Sequence, residues 1–412
     1  MRALRNALVL LLLVCLPVEI VSEEEEGGHE AVLEVREGVE MVWEKPREKP
    51  VALLLLFHRA GRSARSWWPS SARCRDCEGL PEESRIAASA VALNFATVAL
   101  SCVESRSRRW SQKDGPLVAQ GLLSLMKDQQ WGDLPLFVIG VGCGAGFVAT
   151  ALPSSLSVEI RGVHIQLMSD AAGLRPSVIA KAFKNGQGIV GAGWFGRAQK
   201  ALDKPPAKVV VVSYSQKDDI VKKAAKAIKN AWEDNGATVL EQVIHPLPLS
   251  RSYFSDAFAS LSSSDGRGKK GSEKEVKRTT VPMVESRHMV DALKEKGFLD
   301  KRNFLLDDPT STDWRAVVSA PVGERGALEL GTLRSLSREA HQNNLRSPIG
   351  EAVNRAFALS EVDSRAIHAT LHLFLDTLKK TNNGEASSFS SHRRRRLLRS
   401  SFTSSSSSRR LE

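Results

Sequence analysis

The stretch Leu136–Ala151 reads LFVIGVGCGAGFVATA: an apolar run, a Gly-rich turn, then small helix-forming residues. Strand, sharp turn and helix in that order make a nucleophile elbow. Its pattern, G-x-S-x-G, needs glycine on both sides of the nucleophile because the strained turn leaves no room for a Cβ beside the neighbouring backbone. Gly140, Val141, Gly142, Cys143 and Gly144 keep that spacing except at the centre, where glycine replaces serine. Two other readings stay open at this point. One is a phosphate-binding turn, with Gly140, Gly142 and Ala145 as a loose G-x-G-x-x-G/A, and the other is a turn that only packs tightly.

Outward from this stretch, short β-type runs alternate with helical patterns. The runs are Val51–Phe57, Asn94–Leu100, Leu136–Val141, Val158–Met168, Lys208–Tyr214 and Ala237–Ile244. Helices are expected at Pro81–Ala92, Pro116–Gln129, Phe147–Ala151, Pro176–Lys184 and Asp218–Asp234. Continuous apolar strands separated by helices imply a sheet buried on both faces, hence an α/β fold with a doubly wound, mostly parallel sheet. Chemistry in such a sheet sits just beyond the strand C-termini. There stand His58 to Gly61 after the first run, where an oxyanion amide would come from Gly61, and the elbow with Gly142 and Gly144 after the third. Asp218 follows the Lys208–Tyr214 run and His245 follows Ala237–Ile244. Nucleophile, acid, base is the chain order of the α/β-hydrolases, so the fold is expected to be α/β-hydrolase-like with Cys143, Asp218 and His245 as the candidate catalytic set. Each has a plainer reading: Asp218 as a helix N-cap, His245 as a surface or satisfied core histidine, His58 as a loop cap, and Cys143 as a small buried residue beneath the elbow.

The ends are of a different kind. Arg2 and Arg5 precede an apolar core from Ala7 to Leu16, then Pro17 and the small Ser22, so residues 1–22 read as a secretory signal peptide, with an uncleaved anchor as the alternative. The chain carries a net charge of +11, but Ser388 to Glu412 alone hold seven arginines against one glutamate, +6 of that total. The body is therefore only mildly basic, and nucleic acid is not the expected partner. Residues 381–412 read as a disordered tail whose Arg393–Arg396 cluster is suited to anionic surfaces or processing, and 262–277 as a polar insert. Domain boundaries of 48–380 follow.

Once Cys15 leaves with the signal, Cys74, Cys77, Cys102 and Cys143 remain. Cys74-x-x-Cys77 has no second pair to complete a zinc site, and it lies in a Trp-flanked loop instead of a strand-to-helix junction. A local disulfide is the expectation, with free thiols and redox chemistry as alternatives. No metal or cofactor is expected.

Several strings resemble a family of secreted plant and algal α/β-hydrolase-like proteins. They are His58 with Ser63, Trp67-Trp68-Pro69, Cys74-x-x-Cys77, Gly79-Leu80-Pro81-Glu82-Glu83, the Ser101 region leading to Trp110-Ser111, and the elbow leading to Phe147-Val148. The likeness resumes at Leu247-Pro248-Leu249, Tyr253-Phe254-Ser255-Asp256, Ala292-Leu293, Gly297 to Asp300, Asp308-Pro309, Trp314-Arg315, Glu351 to Asn354 and Ala356 to Ala358, so it spans most of 48–380. It implies a fold and a secretory location but little about substrate. Relatives look like G-A-S-S-G-G at the elbow, and here Gly142 and Cys143 stand at the two serine positions. Relatives carry His-Glu where this chain has Ser360 and Glu361. If that histidine is their base, this chain lacks it; if the base follows the last strand, His245 remains.

Two functions are consistent with these residues. One is a degenerate member, non-catalytic or weakly catalytic, that binds a small-molecule or protein ligand in the inherited pocket. The other is an esterase- or thioesterase-like enzyme using Cys143 with His245 and Asp218.

Overall fold

The computed structural model describes residues 30–103, 108–168, 205–259, 281–309, 311–319, 348–359 and 361–382. The signal segment, the helix expected at 176–184, the polar insert at 262–277 and the tail from residue 383 onward lie outside these residues.

Among the described residues eight strands form one sheet in the order β1-β2-β4-β3-β5-β6-β7-β8. They are β1 (Val32–Arg36), β2 (Val39–Glu44), β3 (Ala52–Phe57), β4 (Phe95–Leu100), β5 (Leu136–Val141), β6 (Ile160–Gln166), β7 (Val209–Ser215) and β8 (Thr238–Ile244). The strands β3 to β8 run parallel, while β1 and β2 form an antiparallel hairpin that pairs with β4. The helices are α1 (Pro81–Ala92), α2 (Asp114–Asp128), α3 (Cys143–Thr150), α4 (Leu152–Ser155), α5 (Asp219–Asp234), α6 (Tyr253–Ala259), α7 (Met283–Glu295), α8 (Trp314–Ser319), α9 (Pro348–Phe357) and α10 (Ser364–Asn382).

The run VALLLLF needs two hydrophobic partners, and the sheet supplies them. Leu53, Leu55 and Phe57 face a core closed by α2, α3 and α5, while Ala52, Leu54 and Leu56 face one closed by α1 and α10. Period-2 alternation along the strand sends successive side chains to opposite faces. Each fully buried leucine contributes ~1.5–3 kcal/mol. On the second face Phe374 of α10 stacks on Phe137 of β5 at 4.5 Å between ring centroids. After β8 the chain leaves the sheet and builds a separate apolar cluster from α6 to α9, centred on Phe254, Phe258, Leu293, Trp314 and Val353. It then returns through residues 358–363 into α10.

The domain start at residue 48 needs correcting, because the sheet already contains β1 and β2. Their hairpin turn is Glu37-Gly38, with φ of 50° and 79°, a two-residue turn with both φ positive. Glu-Gly is a weaker signal for that turn than Asn-Gly or Asp-Gly, and acidic residues inside the strands hide the alternation.

Candidate functional site

The elbow is present in the backbone. Gly142, between β5 and α3, has φ 55° and ψ −121°, outside the regions open to most L-residues. Its neighbours must also be glycine. A Cβ on Gly140 would lie 2.8 Å from Ala145 Cα and Gly144 O, and one on Gly144 would lie 2.5 Å from Phe57 O and 2.7 Å from His58 O. The turn can therefore approach β3 only through bare backbone. Gly142 N–H donates to Gln166 O at the end of β6 (3.0 Å). Gly142 thus holds the strand-to-helix turn in a strained backbone geometry with no side chain on it.

Its companions fall in different places. Cys143 is buried at the first position of α3, with Sγ 3.8 Å from His58 O. Asp218 is the N-cap of α5, its side chain accepting from Val221 N at 3.0 Å. His245 is exposed, with Nδ1 2.8 Å from Gln216 Oε1. These contacts tie the three expected catalytic residues to three different neighbours. The Gly61 amide, expected in an oxyanion hole, donates to Arg108 O at 3.1 Å. His58 is a fully enclosed loop residue, and its ring accepts from Cys102 N (3.4 Å) on one side and meets Arg59 O (2.7 Å) on the other. Burial holds its pKa down at about 4, so it is neutral. Cys74 and Cys77 form the expected local disulfide, both largely buried, with Cα atoms 5.4 Å apart.

The architecture is α/β-hydrolase-like. Solved structures similar to the chain include an alpha-beta serine hydrolase homologue from Coxiella burnetii, 13% identical, covering 53% of this chain and 88% of that one, with a TM-score of 0.33. A carboxyl esterase from Bacillus coagulans is 12% identical over 52% of this chain and 89% of its own, with a TM-score of 0.32. A hormone-sensitive lipase from a metagenome library is 12% identical over 54% and 76%, with a TM-score of 0.36. No protein-family model and no curated protein matches the chain.

Among the described residues, Leu359 and Glu361 on the return into α10 meet the ends of β7 and β6. Gln166, which receives the Gly142 amide on its carbonyl, donates its side-chain amide to Glu361 O at 2.7 Å, and Ser215 Oγ at the end of β7 donates to Leu359 O at 2.7 Å. Residue 360 itself lies outside the described residues, but both its neighbours are pinned to strand ends.

This return carries Glu361 into a charged network that sequence reading did not assemble. Arg59, directly after His58, donates to Glu361 Oε2 at 2.7 Å, pairs with Glu351 of α9, and has Nε 3.8 Å from Glu83 of α1. Arg62 shares Glu351, and Asn354 donates to the other oxygen of Glu361 at 3.0 Å. Next to it Glu82 binds Arg355, Arg85 and both the amide and hydroxyl of Ser364. Three carboxylates thus share the two guanidiniums of Arg59 and Arg62. Burial pushes Glu83 and Glu361 up to about 7, partly offset by Arg59. Burial also raises Glu351, yet Arg59 and Arg62 outweigh it and hold that carboxyl below its ordinary value. The network borders a narrow, partly open cleft with free volume of about 10 Å³, between Glu82 and Glu83, Phe258 of α6, Glu351 and Arg355 of α9, and Val362. Two of its sources, Pro81-Glu82-Glu83 and Glu351 to Asn354, are strings that carried the family resemblance. The one local clue was a pair of glutamates opening a helix that is otherwise rich in alanine.

Proposed function

We propose that this chain is a secretory-pathway α/β-hydrolase-like protein that has lost ester hydrolysis and binds a small-molecule or protein ligand at the sheet ends, where the cleft beside Glu83, Glu351 and Glu361 lies. The observation that carries this reading is Gly142 itself. A nucleophile position kept in its strained backbone but stripped of Oγ or Sγ leaves binding groups without an attacking atom. The location rests on the N-terminal apolar segment and on the Cys74–Cys77 disulfide, a bond that persists in oxidising compartments. Kinship with the secreted plant and algal proteins belongs to the same reading, and it rests on the strings quoted above.

Hydrolysis of short activated esters tests it. The native protein should match its Cys143→Ala variant at background rate. Gly142→Ser alone should stay inactive, because His245 is bonded to Gln216 and Asp218 to its helix. Adding Ser360→His to Gly142→Ser should restore measurable turnover, since the proteins this chain resembles carry histidine directly before the glutamate at 361. A native rate that collapses in Cys143→Ala would instead make this a cysteine hydrolase, and activity in Gly142→Ser alone that is lost on His245→Ala would reinstate His245 as base.

A further inference from the structure

Helix α10 carries histidines at 368 and 372, one turn apart and both exposed. Their rings converge, with centroids 4.8 Å apart and planes at 80°. Residues four apart share one helix face, the spacing by which helices present two imidazoles to one metal ion. The helix is locked beneath them: Thr370 Oγ1 meets buried His164 at 2.7 Å, and Phe374 stacks on Phe137. The backbone that carries the pair is therefore fixed, so only the two side chains are left to order when both rings engage one ion. We propose that His368 and His372 form a two-point chelate for a zinc- or copper-class divalent cation on the outer face of α10. Imidazole nitrogen suits these ions, at ~2.0–2.1 Å for zinc. Among the described residues no group of three or more His, Cys, Asp or Glu side chains could hold a metal ion. The remaining coordination positions at this pair are therefore open to water or to an external ligand. Asp376 and Lys379 continue the same stripe, and Arg365 precedes it with its guanidinium held by Asp363.

Calorimetric titration of the full chain with zinc chloride, and separately with copper chloride, tests the assignment. One ion should bind per chain, and either His368→Ala or His372→Ala should weaken it by at least about tenfold, because the second imidazole binds as an intramolecular event. The double variant should show no saturable binding at this site. Both side chains are exposed, so the thermal melts of the variants without metal should superimpose on the native one. Saturable binding of undiminished affinity in either variant would place the ion at another of the nine histidines; no saturable binding to the native chain would equally overturn the chelate.

Discussion

Serine at φ 55° and ψ −121° would hold backbone strain of ~1–3 kcal/mol, whereas glycine there holds almost none. Glycine at 142 therefore holds the turn with little strain, while Gly140 and Gly144 are fixed by contact. Gly144→Ala should destabilise the protein by ~1–3 kcal/mol in urea unfolding, since a methyl would meet two β3-end carbonyls. Gly132→Ala, where a Cβ meets nothing within 4 Å, should stay within about 0.5 kcal/mol of native. Equal effects from the two would mean that the elbow is looser than described. Asp218→Ala separates cap from catalytic acid. Loss of the bond to Val221 N should lower stability by ~0.5–2 kcal/mol and leave any residual ester hydrolysis unchanged; a drop in rate at unchanged stability would restore the acid role.

At the scale of elements, the junction between the sheet ends and the α6–α9 excursion is held by charge where the cores elsewhere are apolar. Removing one member of a buried pair leaves the other uncompensated, at ~3–5 kcal/mol. Arg59→Leu should show a loss of that order, because Glu351 and Glu361 both depend on it. The pH dependence has a definite sign. Glu83 and Glu361 rise from an ordinary 4.5 to about 7 in the folded state, so the stability they contribute is fully present below about 4.5 and is lost as pH rises through 7. Glu351 shifts the opposite way, and its contribution fades in acid. The melting temperature should accordingly fall between pH 5.5 and pH 8, and Glu83→Gln should flatten that fall. A native melting temperature that climbs over this interval would contradict the assignment.

For the whole molecule, the described domain closes at α10, whose Ile367, Leu371 and Phe374 seal the second core. Deleting Ser388 to Glu412 should leave the melting temperature unchanged, since a polar, Arg- and Ser-rich tail has little apolar surface to bury; a drop of several degrees would show that the tail docks. The inner strands and the Gly-rich turn were legible in the sequence because they depend on local pattern. Leu136–Val141 can be only a doubly buried strand, and glycines two apart around its end leave few backbones available. The β1–β2 hairpin was not legible, because half-exposed edge strands with glutamates carry little periodic signal. The candidate site was legible only in part. Sequence placed the Gly-rich strand-to-helix turn and the local disulfide, but it assigned the residues after β7 and β8 by proximity to strand ends. The chain instead travels through α6 to α9 before it returns, and what lies over the elbow depends on that path. The network joining Arg59, Glu83, Glu351 and Glu361 spans some three hundred residues, and a buried ion cluster has no sequence period. Local pattern determined the sheet and its turn; only the tertiary return of the chain decided which charges meet there.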